Sequence, residues 1–260
     1  RNVDLSNIYS ERVFEEFKKM FLKSDKPSFG LKALDEMGAL KYFPEINVLK
    51  ITPQREDYHA EGSVWNHTLM TLDKAASIIK SFPDESDRLK IMLAALAHDF
   101  GKASTGKREP GKDVITHYGH EEAGEFPARS FLARLTNEPD IIEDVIFLVT
   151  HHLLPTHYYR NKNDQRSFKK IVNKYGMHKL KLLSAVSRAD ITGRLHKTEE
   201  GLQTPSGEEI DWFDSELNKV SESNIMSPSG KISPIVTGND LIQIGFKEGR
   251  SIGVVLKDLQ

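Results

Sequence analysis

The side chains of this sequence that could do chemistry are histidines and aspartates in several helical segments. His67 lies early in one segment, His98 and Asp99 are adjacent at the end of the next, and Asp190 lies in a later one. The chain has no cysteine, so disulfides, thiolate sites and cysteine nucleophiles are excluded. Imidazole nitrogens and carboxylate oxygens that converge from several helices suit a divalent cation. The sequence therefore predicts a divalent metal centre inside a helical bundle.

Four further histidines are candidates for this site, either as metal ligands or, for His117, as a substrate contact. His117 and His120 flank Tyr118 and Gly119, while His151 and His152 are adjacent at the end of a predicted helix. Neighbouring residues on a helix point about 100° apart, so only one member of the adjacent pair can face a common site. The residues alone leave the choice between these two histidines open.

The elements that must position these side chains are helices. Apolar residues recur three and four positions apart in most segments, and few segments alternate with a period of two. The predicted helices are 10–23, 29–40, 64–81, 87–100, 121–135, 139–153, 179–194 and 211–221, with a loop at 51–62. The predicted fold is all-α, a helical bundle with flanking helical segments.

Length and composition limit the class of protein. The chain has 260 residues, of which 38% are hydrophobic and 28% charged, which is typical of a globular protein with a real core. No apolar run could span a bilayer and the N-terminus has no signal pattern, so a cytoplasmic protein without a membrane partner is expected. The net charge of −2 gives no global attraction to nucleic acid.

The order of the candidate ligands resembles the HD superfamily of metal-dependent phosphohydrolases. Gly101 and Lys102 follow His98 and Asp99 in the family's His-Asp-x-Gly-Lys form, with one histidine upstream and one aspartate far downstream. From about residue 12 to 194 the chain looks like the C-terminal half of bacterial CCA-adding tRNA nucleotidyltransferases that carry an HD domain. The matching motifs lie at 37–40, 43–45, 66–70, 98–102, 117–121, 188–194 and 236–241.

The resemblance implies an HD-type bundle that holds one or two divalent ions. The expected metal ligands are His67, His98, Asp99, His120, His151 and Asp190. Asp99 would bridge the two metals, and His151 is chosen over its neighbour because the family order favours the first of two such histidines. The metal could be Mn, Ni, Fe, Co, Zn or Mg.

The resemblance also implies catalytic and substrate-binding residues. Asp99 and Lys102 are the expected catalytic residues, and Lys102, His117 and Arg194 are expected to contact substrate. The expected activity is hydrolysis of nucleotide or RNA phosphate esters, of the phosphatase or 2′,3′-cyclic phosphodiesterase type, with tRNA as a further partner. In some relatives the cyclic-ester activity is thought not to need metal. The oligomeric state stays open.

The chain departs from the CCA-adding enzymes in one respect. The Gly-Ser pair and Asp-x-Asp motif of their nucleotidyltransferase head are not found, so the chain is not expected to polymerise CCA by itself. Either that head lies upstream of Arg1 or the chain is a stand-alone relative. The expected division is a neck or body segment at 1–50, an HD phosphohydrolase domain at 51–200 and a C-terminal helical tail at 201–260.

Other interpretations compete with the hydrolase hypothesis. The chain could be a non-catalytic tRNA-binding body with a structural metal site, or an HD hydrolase of deoxynucleoside triphosphates or cyclic dinucleotides. His98 and Asp99 alone would suit a helix end with a counter-charge. The basic stretch 160–181 is either a solvated face or an RNA-backbone contact, with Tyr158 and Tyr159 beside it as candidates for base stacking.

Overall fold

A computed structural model describes residues 10–109, 111, 114–233, 236–247 and 249–258. The helices are α1 (Ser10–Lys23), α2 (Pro27–Glu36), α3 (Pro44–Asn47), α4 (Val64–Ile78), α5 (Glu85–Ala97), α6 (Lys102–Thr105), α7 (His120–Ala123), α8 (Glu125–Ala133), α9 (Pro139–His151), α10 (Leu154–Arg160), α11 (Gln165–Tyr175), α12 (Met177–Thr192), α13 (Glu208–Ser223), α14 (Gly238–Gln243) and α15 (Arg250–Asp258). Short 3₁₀ helices lie at Ala39–Tyr42, Val48–Lys50 and Ile79–Ser81.

Strands are few among the described residues. They are β1 (Lys107–Arg108) with β2 (Ile115–Thr116), and β3 (His196–Thr198) with β4 (Gly201–Gln203), each pair antiparallel. In the first hairpin Lys107 pairs with Thr116, and in the second Lys197 pairs with Leu202. The all-α prediction is confirmed, because these short hairpins only decorate a helical protein.

The chain forms two compact units. The first comprises residues up to Lys162 together with Lys181–Phe213, and the second comprises Asn163–Leu180 and the chain from Asp214 onward. Every candidate ligand belongs to the first unit. The sequence-based division at residues 50 and 200 stays a proposal.

The helices that carry the candidate ligands have clear start signals. The Ser63 side chain accepts a hydrogen bond from the Asn66 backbone N–H at the start of α4, and the Asp84 side chain accepts one from the Asp87 N–H at the start of α5. Such caps satisfy backbone donors that have no partner within the helix. Pro139 occupies the first turn of α9, where its missing N–H is harmless.

Helix α5 lies at the centre of the first unit. It packs against α4 on one side and α9 on another, and every residue from Ile91 to Ala97 is buried. A helix that is apolar all round must be enclosed by its neighbours. The residues that directly follow its last turn, His98 and Asp99, are therefore delivered to the interior of the unit.

An aromatic cluster ties the N-terminal helix to this bundle. Phe17 of α1 meets Phe43 and Phe131 edge to face, with ring centroids 5.2 and 6.0 Å apart. Phe131 of α8 also meets Phe100, which follows the His98-Asp99 pair, at 5.7 Å. Edge-to-face pairs add stabilisation beyond area burial. The cluster holds the segment after α5 from the side opposite to its polar residues.

Most of the predicted helices are confirmed with shifted ends. The segment expected at 121–135 is divided at Gly124 into α7 and α8, and Pro127 lies in the first turn of α8. Helices α3, α6, α10 and α11 were not predicted, and α14 and α15 were predicted only as part of a C-terminal helical tail at 201–260. Helix α11 lies in the basic stretch and buries three residues, Phe168, Ile171 and Val172. So few apolar positions give only a weak periodic signal in the sequence. No helix in the described part of the chain has the length and apolarity to cross a membrane.

Candidate metal centre

Four predicted ligands meet at the C-terminal end of α5. The Nε2 atom of His67 lies 3.2 Å from Nε2 of His98 and 3.0 Å from Oδ1 of Asp190. Nε2 of His98 lies 3.3 Å from Oδ2 of Asp99. Ligands bonded to one cation at about 2.0–2.1 Å are themselves roughly 2.9–3.4 Å apart. These side chains, all buried, therefore have the spacing of a coordination shell.

A second group lies on the other side of Asp99. Its Oδ1 atom is 3.4 Å from Nε2 of His120, which in turn is 3.3 Å from Nε2 of His152. The ligand atoms of these three residues all lie within 4.8 Å of one another. Asp99 thus contacts both groups and has the position of a bridge between two cations.

The tautomers of three histidines follow from their backbone contacts. Nδ1 of His98, His120 and His152 lies 2.9, 2.8 and 2.7 Å from the carbonyl oxygen three residues earlier. A nitrogen so close to a carbonyl oxygen donates its proton, so in the neutral form of each ring Nε2 carries a lone pair. Two lone pairs that face each other repel unless a cation or proton lies between them. The close approach of the His120 and His152 Nε2 atoms is therefore favourable only when a positive charge lies beside them.

The structure brings His152, and not the predicted His151, into this group. The His152 side chain is 1% exposed, whereas His151 is only partly buried; its Nδ1 contacts the Phe147 carbonyl at 3.0 Å and its ring lies 4.6 Å from that of Phe147. The two side chains leave α9 in directions about 100° apart. The order of residues in the family does not determine which of the two side chains faces the cluster. The rotation of α9 about its own axis, set by its packing against α5, determines it.

Two helix ends add to the electrostatics. His98 and His152 are the C-terminal caps of α5 and α9. A helix C-terminus carries partial negative charge, which favours a cation near it. His98 and His152 both lie near Asp99, so the C-terminal ends of the two helices lie near it as well. Their partial negative charge adds to that of the Asp99 and Asp190 carboxylates.

The carboxylates are ionised despite their burial. Burial raises the pKa of Asp99, but His98, Lys102 and His120 outweigh it and hold the pKa well below its usual range. Burial also raises the pKa of Asp190, and His67 and Arg194 reverse that effect. Buried carboxylates in their charged form are what a cation requires of its ligands.

The histidines respond to the same field. Burial lowers the pKa of His67, yet Asp190 and Glu61 raise it above its ordinary value. Burial, helped by His120 and His98, lowers the pKa of His152 to about 3. His152 is therefore neutral near pH 7 and its lone pair is available, while the surroundings of His67 favour a positive charge at the centre of the first group.

One atom of the cluster tests directly whether a cation fits. Oδ2 of Asp99 is fully enclosed and accepts no aligned hydrogen bond, although Nζ of Lys102 lies 2.7 Å away. Buried carboxylate oxygens are normally satisfied, because leaving one unpaired is costly. With three imidazole lone pairs nearby, a divalent cation fits this site in both charge and donor type.

Lys102 is held beside the cluster and lines the cavity above it. Its side chain, 8% exposed, also donates to Oε1 of Gln54 at 3.1 Å. It is the first residue of α6, which follows the ligand pair after Gly101. The predicted catalytic lysine therefore contacts the bridging carboxylate directly.

Glu61 and His59 were missed by the sequence reasoning. Oε1 of Glu61 lies 2.8 Å from Nδ1 of His59 and 3.1 Å from Nδ1 of His67, although the latter contact is not an aligned hydrogen bond. Its Oε2 accepts from the Leu195 N–H at 2.8 Å. A carboxylate behind a ligand histidine orients the ring and raises its basicity. The loop that contains Glu61 and His59 has no periodic pattern, so the sequence signalled these residues only by their position just before α4.

Two glycines let the elements that carry ligands come close. A Cβ at Gly101 would overlap the His120 carbonyl and lie 2.6 Å from the Gly124 nitrogen. A Cβ at Gly193 would lie 2.7 Å from Cα of Thr71. The first glycine thus admits α7, with His120, against the His98-Asp99 pair. The second admits the end of α12, with Asp190, against α4.

A cavity of about 390 Å³ opens above the cluster. Asp99, His120, His152 and Asp190 line it, together with Lys102 and the predicted substrate residues His117 and Arg194. Such a volume suits a small organic ligand. Nδ1 of His117 and Nε of Arg194 are buried and have no hydrogen-bond partner among the described residues. Both residues line the cavity, while these two atoms are enclosed beneath its surface.

Tyr158 and Tyr159 both contact the start of α13, and their role in base stacking stays a prediction. The ring of Tyr158 meets Phe213 edge to face at 5.9 Å. The hydroxyl of Tyr159 donates to Glu208 at 2.8 Å, and its ring meets Trp212 at 5.7 Å. Both rings are used in packing against the start of α13. Arg160 of the basic stretch does line the cavity.

Comparison with known proteins gives two family matches. A family described as "HD domain" matches residues 64–195, and one described as "Probable RNA and SrmB- binding site of polymerase A" matches residues 3–49. The first match contains both groups of candidate ligands, together with Gly101, Lys102 and the cavity residue Arg194.

Several curated relatives bear the name "Multifunctional CCA protein". One from Neisseria meningitidis serogroup C (strain FAM18) is 31% identical over 89% of this chain and 51% of its own length. One from Pasteurella multocida is 36% identical over 54% of this chain and 32% of its own length. One from Chromobacterium violaceum is 36% identical over 56% of this chain and 33% of its own length. The chain spans about half the length, or less, of these relatives. Because the HD domain match covers half of the chain and contains the whole ligand cluster, the chain belongs to the HD domain family.

Proposed function

We propose that this chain is a metal-dependent phosphohydrolase that acts on nucleotide or RNA phosphate esters. One observation carries the proposal: three histidines donate Nδ1–H to backbone carbonyls and aim their Nε2 atoms at the two sides of an ionised, buried Asp99. A site built for structure alone would not need an open cavity above these atoms. The cavity of about 390 Å³ supports access by a substrate.

The proposed ligand set is His67, His98, Asp99 and Asp190 for one divalent cation, and Asp99, His120 and His152 for a second. Imidazole with carboxylate suits Mn, Fe, Co, Ni or Zn, whereas Mg prefers oxygen ligands alone. When bound, such a cation lowers the pKa of a bound water and withdraws charge from a phosphoryl oxygen. The helix ends and ionised carboxylates of this chain hold that charge in place.

The cavity residues have distinct proposed roles. Lys102 holds a positive charge 2.7 Å from Asp99 and can neutralise a phosphate oxygen. Arg194 offers a guanidinium whose Nε has no partner among the described residues, which suits a second phosphate oxygen. His117 donates Nε2–H to the Pro53 carbonyl at 3.0 Å, which fixes its ring at the cavity wall, where it can contact a substrate.

The substrate and partner proposals rest on the comparisons. The relatives' printed name, with the RNA-binding match at residues 3–49, supports an RNA end as substrate and tRNA as partner. We propose 2′,3′-cyclic phosphodiester and phosphomonoester hydrolysis as the reaction types, in the cytoplasm, and a place within a tRNA nucleotidyltransferase. The RNA-binding match also favours a second candidate function, that of a non-catalytic tRNA-binding body with a structural metal.

An assay on paired variants separates these functions. The purified chain is tested on a phosphomonoester, a phosphodiester and 2′,3′-cyclic AMP, with and without a panel of divalent metals. We expect metal-dependent turnover that falls at least about 10–100-fold in His152→Ala, the loss typical of even an outer-shell partner. The neighbouring His151→Ala variant, which leaves the cluster intact, should keep its activity.

The controls make the assay decisive. Asp99→Ala removes the shared carboxylate and should abolish the metal-dependent activity, and circular dichroism establishes that each variant is folded. A folded chain that binds tRNA but turns over no ester with any metal would refute the hydrolase and favour the RNA-binding body. Equal losses in His151→Ala and His152→Ala would refute the proposed ligand set.

A further inference from the structure

The mouth of the cavity carries an aromatic side chain that the metal centre does not use. Tyr118 lines the cavity and its ring is 83% exposed. It precedes His120, whose side chain is buried in the ligand cluster, by only two positions. Their Cα atoms are thus at most roughly 7.6 Å apart. A large aromatic residue thus lies at the entrance of the cavity, two positions from a candidate metal ligand.

Tyr118 is exposed although the chain around it is anchored. Before it, Nε2–H of His117 donates to the Pro53 carbonyl at 3.0 Å. After it, Gly119 takes the left-handed conformation, with φ of 72°, and the backbone then enters α7. A ring on such a tethered turn loses little conformational entropy when a ligand covers it. Among the described residues, Tyr118 has no aromatic, cationic or hydrogen-bond partner that would account for its place.

The other tyrosine at the rim is already occupied. The guanidinium of Arg55 lies over the Tyr58 ring, 4.7 Å from its centroid, and His196 meets that ring edge to face at 5.7 Å. Arg55 is in turn held by Asp57 through two contacts of 2.6 Å. Tyr58, 45% exposed, thus already has a cation over one face of its ring. Tyr118 is more exposed and has no such contact among the described residues, so its ring is the one more open to a ligand.

The charges of the cavity indicate what kind of ligand would reach this ring. Four cationic side chains, Arg55, Lys102, Arg160 and Arg194, line the cavity together with two carboxylates, Asp99 and Asp190, which a metal would neutralise. The floor therefore favours an anion and the rim favours a planar ring. A nucleoside phosphate combines these features, because its sugar separates an anionic phosphate from a flat base.

We propose that Tyr118 is a specificity-determining residue on which the base of a nucleoside phosphate stacks, so that the cavity selects nucleotides over base-free phosphate esters. The proposal rests on the proposed function, since it assigns the phosphate end of the substrate to the metal centre. Stacking on an aromatic side chain tolerates any base, because each base has a π-face. The subsite therefore confers a preference for nucleotides without a preference among bases.

Equilibrium binding tests the subsite independently of turnover. Calorimetry in the presence of Mn²⁺ compares adenosine 5′-monophosphate with ribose 5-phosphate, which lacks the base. Tyr118→Ala should weaken binding of the nucleotide by about 5- to 150-fold, the usual worth of one stacked base, and change binding of the sugar phosphate less than about twofold. Tyr118→Phe should bind both as the unmodified chain does, because stacking needs the ring and not the hydroxyl.

Phe126 provides a matched control. It is 82% exposed, close to the exposure of Tyr118, but it lies on α8 and does not line the cavity. Phe126→Ala should leave both affinities unchanged. Equal loss of both ligands in Tyr118→Ala, or no loss of either, would overturn the subsite.

Turnover of ribose 5-phosphate and the nucleotide by the same variants separates this inference from the proposed function. If the chain binds the nucleotide through Tyr118 but hydrolyses neither ester, the hydrolase proposal fails and the subsite stands. If it hydrolyses both esters with equal kcat/KM and Tyr118→Ala alters neither, the hydrolase proposal stands and the subsite fails.

Discussion

Gly193→Ala is the most informative single perturbation of the architecture, because it changes neither a ligand nor a charge. Gly193 is buried directly after α12, and a Cβ there would lie 2.5 Å from the Ala189 carbonyl oxygen, 2.7 Å from Cα and 2.8 Å from N of Thr71 in α4. Carbon atoms in ordinary contact are about 3.5–4.0 Å apart. The new methyl group must therefore move the end of α12 away from α4 by roughly 0.7–1 Å. The backbone of Thr71, within a helix, cannot yield as a flexible side chain would.

This displacement acts directly on the metal cluster. Asp190 lies three residues before Gly193, and His67 lies four residues before Thr71, so the ligand pair sits one turn from the clash on both helices. The contact of 3.0 Å between Oδ1 of Asp190 and Nε2 of His67 must open by a similar amount. Overpacking of this kind typically destabilises by about 1–3 kcal/mol, and a misplacement of about 1 Å can lower a rate by about 10²-fold.

The assay combines urea denaturation, metal titration by calorimetry, and turnover of a phosphate ester. We expect a lower unfolding midpoint together with weaker metal binding and at least a tenfold lower kcat, where about tenfold corresponds to 1.4 kcal/mol of barrier. Gly253→Ala is the matched control: it lies in α15, where an added Cβ meets nothing within 4 Å, and alanine favours a helix. A Gly193→Ala chain with unchanged stability and unchanged metal affinity would refute the argument that this close approach positions Asp190.

Two further predictions concern the support of the centre and its core. Glu61→Gln removes the negative charge beside Nδ1 of His67 and should weaken metal binding by about 10–100-fold in a calorimetric titration. Glu56→Gln, at an exposed position of the same loop, should leave metal affinity unchanged. Equal metal affinities of the two variants would show that Glu61 does not support the site. Phe131→Ala empties the fully buried centre of the aromatic cluster and should lower the free energy of unfolding by about 3–5 kcal/mol in urea, while Phe126→Ala on the same helix should change it by less than about 0.5 kcal/mol. Similar losses in both phenylalanine variants would contradict the assignment of the core.

The helical character of the chain could be predicted because its signals lie in residues close together in the sequence. Apolar residues at helical spacing, the caps Ser63 and Asp84, and Pro139 at a helix start all act within one or two turns. The structure shows the corresponding helices with ends that differ by a few residues. The two short hairpins and α11 were not foreseen, since short strands and a mostly polar helix carry weak periodic signals.

The metal cluster was predictable in type and only partly in detail. The presence of histidine and aspartate in the family's order indicated which side chains to consider, and the structure brings His67, His98, Asp99, His120 and Asp190 together. Of the two adjacent histidines of α9, the structure places His152 in the cluster and not the predicted His151. This choice depends on how α9 rotates about its axis when it packs on α5, and no local signal in Thr150-His151-His152 encodes that rotation.

The sequence by itself thus determined the chemistry that the chain can offer, namely imidazole and carboxylate ligands, the absence of thiols, and the helices that carry them. Tertiary structure alone decided which atoms meet. It turned His152 inward, set Glu61 behind His67, used Tyr158 and Tyr159 in packing, and left Tyr118 at the mouth of the cavity. The physical reason is that ligand identity is a property of single residues, whereas direction and distance arise from the packing of helices that are far apart in the chain.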